Sequence, residues 1–258
     1  MKQVQMGDLL LWQFDHFSSI NQVRHYVSGR YGNQNGHTFT LSYSSTPHRE
    51  EVKHNRHLLA QAMAIPDHHL FFPSQVHKTR IVCVTHSTTI EDVLDTDALV
   101  TNTPGLCINV MSADCVPILL YDHRQRAVAA VHAGWRGTVA KIVEKTLVEM
   151  QRLFGTKGED ILAGIGPSVS QDSYEVGEEV IEEVNKAFGN AHDLLLPQAN
   201  GKAKLDLWKA NALQLINFGV LKSNIELADL CTVKNNNQFF SARKGDAGRF
   251  AAGIMLLN

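Results

Sequence analysis

Between Leu70 and His132 the chain is a succession of short apolar or β-branched runs, at 80–85, 98–101, 106–111, 116–121 and 127–131, each closed by turn residues. Runs of this length bounded by Gly, Pro, Asn, Asp or Ser read as strands, because a helix needs a longer stretch with a 3.6-residue period. The middle of the chain is therefore committed to a sheet, and the remaining segments must cover it.

Those covering segments have the other period. Thr46 followed by Pro47 is a helix-start signal, since a threonine oxygen caps free amides and proline tolerates the first helical position. Val52, Leu59, Ala62 and Met63 then share one helical face, and the helix is expected to end near Ile65, ahead of Pro66. A second helix is expected over 138–154, with Val139, Ile142, Val143, Thr146, Leu147 and Met150 on its apolar face. Further helices are expected over 174–188 and 207–218. Strands are expected at 9–14, 161–165, 225–230, 238–241 and 250–255, and polar loops at 28–36 and 197–202. No repeat, low-complexity tract or composition shift divides the 258 residues, so the reading is one mixed α/β (α+β) domain over 1–258.

Charge and composition narrow the function classes. The formal net charge is −2 with scattered basic residues, which lacks the positive patch of a nucleic-acid binder and favours a small-molecule partner. The N-terminal apolar run is too short for a signal peptide and no later stretch is long enough for a membrane span, so a cytoplasmic location is expected. Cys83, Cys107, Cys115 and Cys231 have no paired spacing and read as thiols. Among the 13 histidines, His48, His54, His57, His68 and His69 read as surface residues.

Three other residues point to chemistry. His77, Cys115 and His132 each fall where a strand runs into a turn, and a thiolate with two imidazoles suits zinc, with copper as the alternative. Three protein ligands and an open fourth position make a reactive centre; the competing reading is a buried cysteine and two structural histidines. Gly134 and Gly137 flank a strand-to-helix turn that also carries Arg136, which reads either as an anion site at a helix start or as a tight connection. The segment 164–177 leaves a strand through a glycine-proline loop, a common setting for ligand contacts. Arg243 and Arg249 read as anion clamps or as solvated ends.

Taken together, Ser74-Gln-Val-His77, Asp97-Ala-Leu-Val, Ala113-Asp-Cys-Val-Pro117, Val131-His-Ala-Gly-Trp-Arg-Gly-Thr138, Ile165-Gly-Pro-Ser, Tyr174-Glu-Val-Gly and Phe239-Phe-Ser-Ala-Arg243 resemble the YfiH family, also called the laccase-domain or polyphenol oxidoreductase family. The ordered match runs from about Asn55 to the C-terminus, while the N-terminal quarter departs from the family's usual Gly-Gly-Val-Ser and Leu-Asn-Leu segments. The resemblance implies a layered α/β/β/α sandwich and names His77, Cys115 and His132 as ligands to zinc or copper. It also implies phosphorolysis of adenosine, inosine and S-methyl-5′-thioadenosine with accompanying adenosine deamination. In that reading Asn55, Arg56, Gly134, Arg136, Gly137 and Arg243 contact substrate or phosphate. Cys115, Asp114 and Arg56 stand at the reacting centre, Asp114 as a proton carrier. The alternatives carried by the same resemblance are a copper-dependent polyphenol oxidoreductase and an amidohydrolase of peptidoglycan precursors.

Overall fold

The computed structural model describes residues 1–33, 36–44, 46, 48–189 and 193–258. Gln34 and Asn35 of the expected first loop, and Pro47 of the expected helix start, lie outside the described residues. One six-stranded sheet has the order β1 (Lys2–Met6), β2 (Leu9–Gln13), β3 (Val23–Val27), β15 (Phe250–Leu256), β7 (Cys107–Ser112), β4 (Leu70–Phe71). A second has the order β14 (Ile225–Leu227), β10 (Ile161–Ile165), β8 (Val116–Asp122), β9 (Ala127–Ala133), β6 (Ala98–Thr101), β5 (Ile81–Cys83). A small third sheet joins β11 (Glu175–Val176), β13 (Ala203–Leu205) and β12 (Leu195–Pro197). The helices are α1 (Asp15–Ser18), α2 (Arg49–Met63), α3 (Trp135–Val139), α4 (Ile142–Phe154), α5 (Glu178–Phe188) and α6 (Leu207–Phe218).

The period-two geometry of a strand explains how the layers stack. Along β8, Leu119 and Tyr121 join Val128 and Ala130 of β9 in a core with Ile108, Val110, Ala252 and Ile254 of the first sheet. The alternate residues Ile118 and Leu120 face the other way, with Ala129 and Val131, against Val143, Leu147 and Met150 of α4 and Leu207, Ala210 and Leu215 of α6. On the outer face of the first sheet Leu9, Leu11, Tyr26 and Met255 pack on Leu59 and Met63 of α2. The result is the α/β/β/α layering. The central strands are buried on both faces, which is why β8 and β9 read as unbroken apolar runs instead of alternating ones.

Several expected elements differ in detail. The single helix expected over 138–154 is broken into α3 and α4 by Lys141, whose left-handed backbone (φ 61°) turns the chain so that Ile142 and Val143 meet the sheet. The helix expected from Tyr174 begins at Glu178, because Glu175 and Val176 are drawn into pairing with β13. The helix expected from Thr46 begins at Arg49, the Thr46 hydroxyl accepting the His48 amide at 3.1 Å just upstream. No strand forms at 238–241: the Phe239 amide closes a turn onto the Asn235 carbonyl, and Phe239 and Phe240 enter the core from irregular chain. β1 and β3 carry no clear strand pattern in the sequence; β3 contains Arg24 and His25, whose polarity masks its register, although His25 is buried and accepts the Phe14 amide at 2.8 Å. No helix among the described residues is long and apolar enough to cross a membrane.

At the centre of the first sheet Gly253 pairs with Tyr26 on one side and Asn109 on the other. The Tyr26 hydroxyl donates to Asn109 Oδ1 at 2.6 Å, and Asn109 Nδ2 donates to the Phe71 and Cys107 carbonyls. A Cβ on Gly253 would lie 2.0 Å from Asn109 Oδ1 and 2.5 Å from Tyr26 Cε1. The Gly253→Ala variant is therefore expected to lose about 3 kcal/mol by overpacking and by breaking a buried hydrogen bond, a melting decrease of roughly 10 °C measurable by calorimetry.

Candidate metal centre

The three potential ligands come from three different connections. His77 follows the short strand β4 on a loop and has a left-handed backbone (φ 60°); Cys115 occupies the turn between β7 and β8; His132 stands on β9, opposite Pro117 of β8. Their donor atoms all lie within 4.8 Å of one another, and the two imidazole rings cross at 75° with centroids 4.8 Å apart. His132 is buried, Cys115 half-buried and His77 exposed, so the group opens to solvent on the His77 side.

One carboxylate organises the set. Asp97, fully buried at the entrance to β6, accepts the His77 amide on Oδ1 at 2.9 Å and the Lys78 amide on Oδ2 at 2.8 Å. The same Oδ1 lies 2.8 Å from His132 Nδ1. That contact places the imidazole proton on Nδ1 and turns Nε2 toward the ligand group, the usual second partner of a metal-binding histidine. Burial alone would raise Asp97, but His132 and the amides of Lys78 and His77 hold it below the ordinary carboxylate range.

Cys115 and His132 are coupled in the same way. Burial pushes the Cys115 thiol up, yet the facing His132 and His77 imidazoles bring it down to about 6. Burial pushes His132 down, and the Cys115 sulfur and Asp97 carboxylate carry it up to about 9. The mutual attraction of sulfur and imidazole favours the thiolate–imidazolium pair, the form in which the sulfur can ligate. Gly134 completes the enclosure: a Cβ there would lie 2.9 Å from Cys115 Sγ and 3.1 Å from His77 Cδ2. This glycine is needed for the approach of backbone to the thiolate, and the helix that follows it, α3, has only five residues.

The remaining expected site residues divide into two groups. Tyr174 and Arg243 meet at the centre's rim, the Arg243 guanidinium 4.6 Å from the Tyr174 ring centroid with Nη2 donating to the Glu175 carbonyl at 2.9 Å. Burial first, then the nearby Cys115 and Asp114, raise the Tyr174 phenol to about 12 against the pull of Arg243 and Arg136. Arg136 lies over the Trp135 ring and makes a loose 3.9 Å ion pair with Glu179. Gly137 is buried in the short helix, where a Cβ would sit 3.3 Å from Ile142 Cγ2, so its place is one of close packing. Asp114 is buried, with both oxygens hydrogen-bonded, to the Thr232 hydroxyl and the Arg243 amide.

Asn55 and Arg56 are occupied elsewhere. Asn55 Nδ2 donates to the Thr40 carbonyl, and Arg56 donates through Nε and Nη2 to the Leu41 carbonyl while stacked between Tyr43 and Phe72. Arg56 lines a cavity of about 580 Å³ whose walls include none of the three ligands. Arg249 folds back on the carbonyls of Ala247 and Gly248 in its own turn. In the 164–177 loop, the Gly166 amide binds the Pro117 carbonyl and the Ser168 hydroxyl accepts from Trp208 Nε1, so the loop braces β8 and delivers Tyr174. The sequence motif Asp97-Ala-Leu-Val assigns Asp97 no role; an aspartate directly ahead of an all-apolar run is the signal that could have found it.

Two stacked sheets between helices, with a thiolate and two imidazoles gathered at the strand ends, define a mixed α+β protein built around one small soft-ligand centre. Residues 24–257 match the sequence model of the family described as "Multi-copper polyphenol oxidoreductase laccase", and the chain belongs to this laccase-domain (YfiH) family. It is 40% identical over 257 residues to a protein of Bacteroides thetaiotaomicron named purine nucleoside phosphorylase, covering 94% of this chain and 95% of the relative. It is 38% identical over 206 residues to a protein named adenosine deaminase RL5 from an unknown prokaryotic organism, covering 76% and 78%. The fold is similar to Bacillus licheniformis YfiH (TM-score 0.88, 28% identity, 97% of both chains). It is also similar to YlmD of Geobacillus stearothermophilus (TM-score 0.87, 27% identity, 99% and 98%).

Two outcomes follow from the geometry. Replacing Asp97 with Asn removes the charge that supports His132 and sets an amide donor against backbone N–H groups where both carboxylate oxygens accept, and is expected to weaken zinc affinity about 10- to 100-fold in chelator competition. Metal uptake near neutral pH must displace the imidazolium proton of the Cys115–His132 pair, so affinity should rise about tenfold per pH unit between about 6 and 9, and more steeply below 6 where the thiol is also protonated. Titrations in buffers of different ionisation enthalpy would measure the released proton.

Proposed function

We propose that this protein is a zinc-dependent purine nucleoside phosphorylase acting on adenosine, inosine and S-methyl-5′-thioadenosine, with accompanying adenosine deaminase activity, located in the cytoplasm. The observation that carries the proposal is the open Cys115, His77, His132 group with Arg243, Arg136 and Tyr174 at its rim. The names of the relatives support the same chemistry.

The donor set fits zinc, and copper also, in softness and in spacing. His77, Cys115 and His132 would hold the ion, which supplies Lewis-acid polarisation and lowers the pKa of bound water. The chain's own groups do the rest. Arg243 and Arg136 present delocalised positive charge to phosphate, whose oxygen bonds to the sugar carbon as the bond to the purine nitrogen breaks. The Tyr174 phenol keeps its proton through the physiological range and offers a hydrogen-bond donor beside the thiolate. Asp114, with both oxygens engaged by Thr232 and Arg243, holds the rim in place, and this replaces the expected role of proton carrier. Asn55 and Arg56 fasten the 40–43 segment to α2 in this reading.

A polyphenol oxidoreductase reading follows from the family description, but a multicopper relay calls for several imidazole-rich sites, and one three-ligand group is found among the described residues. Metal-replete protein incubated with adenosine should release adenine only when phosphate is present, and inosine with or without it. Failure to form adenine, inosine or hypoxanthine would sink the proposal, and oxygen uptake with phenols by the copper-loaded protein would favour the oxidoreductase. Cys115→Ser and His77→Ala are each expected to lower kcat/KM for adenosine by at least about a hundredfold.

A further inference from the structure

Asp114 stands one residue ahead of the ligand Cys115, and its side chain is held by the C-terminal part of the chain. Oδ1 accepts the Thr232 hydroxyl at 2.6 Å and Oδ2 accepts the Arg243 amide at 2.8 Å, contacts that span 118 and 129 positions of sequence. Its backbone has φ 90°, a conformation that costs a residue with a Cβ about 1–3 kcal/mol and persists only where surrounding contacts enforce it. Thr232 is fully buried, and its amide donates to the Ser168 carbonyl at 3.1 Å, so the hydroxyl is presented from a fixed position.

The consequence falls on Arg243. Its main chain is pinned to Asp114, its guanidinium rests on Tyr174 and binds the Glu175 carbonyl, and among the described residues it has no ion-pair partner. A guanidinium without an ion pair among the described residues, held at the rim of the ligand group with N–H groups left over from the Glu175 carbonyl, is suited to a tetrahedral oxyanion.

We infer that the buried Thr232–Asp114 pair is a positioning device that fixes Arg243 for inorganic phosphate and so sets the partition of adenosine between phosphorolysis and deamination. The inference rests on the phosphorylase and deaminase reading above. In the first reaction a phosphate oxygen bonds to C1′ of the ribose, the C1′–N9 bond breaks, and adenine leaves with the electron pair and takes a proton. In the second, water adds at C6 and ammonia departs. Only the first needs an anion held in register, so a loosened Arg243 penalises it selectively.

Thr232→Val keeps the side-chain volume and removes the hydroxyl. In the zinc-loaded protein it is expected to weaken inorganic phosphate binding, measured by calorimetry, by about tenfold and to raise the KM for phosphate by a similar factor with a smaller change in kcat. The ratio of adenine to inosine formed should fall accordingly, zinc content should stay unchanged, and Thr232→Ser should restore the wild-type values to within about threefold. Unchanged phosphate affinity in Thr232→Val overturns the inference, as does an equal fall of both activities that Thr232→Ser does not rescue. If phosphate binding follows Thr232 while no nucleoside is turned over, the anion-positioning role stands and the phosphorylase reading fails.

Discussion

The Asp97 carboxylate is the interaction on which the candidate centre depends. A fully buried carboxylate is costly unless donors surround it, and here the donors are the consecutive amides of Val76, His77 and Lys78 and the His132 ring. The charge is thus stabilised only when the His77 loop and the β9 end stand in their mutual positions. One group binds the backbone at the left-handed bend of His77 and supports the charged form of His132, which in turn draws the Cys115 thiol down.

The layers explain why this can be held rigidly. β6, β8 and β9 are buried on both faces, between the first sheet and the helices α4 and α6, and their ends carry Asp97, Cys115 and His132 respectively. Backbone register therefore sets ligand spacing: the β8–β9 pairing puts His132 opposite Pro117, and the His132 amide bonds to the Asp97 carbonyl at 2.8 Å. Side chains on such elements are positioned more accurately than side chains on loops. His77, the ligand that comes from a long loop, is the one that Asp97 binds through the backbone.

Around this rigid centre the rim is assembled from chain that sequence periodicity does not describe. Tyr174 arrives on the loop braced against β8, and Arg243 arrives on a single 3-10 turn (Ala242–Lys244) that follows the irregular chain anchored by Phe239 and Phe240 in the core. The 238–241 run looks like a strand because it is apolar, but its hydrophobicity is used as an anchor. Likewise the apolar face spanning 138–154 is real, yet the chain must bend at Lys141 to lay it on the sheet.

The sequence by itself determined the strand runs, the helical faces of α2 and α4, the presence of α6, and the residue types of the ligand set, because these follow from local periodicity and from the chemistry of sulfur and imidazole. The tertiary structure alone decided that Asp97 serves both histidines, that Asp114 clasps Thr232 and Arg243, and that Arg56 is spent on Leu41, Tyr43 and Phe72. Such contacts join residues far apart along the chain. Their partners are selected by which strand ends the packed layers bring together, and no local pattern carries that information.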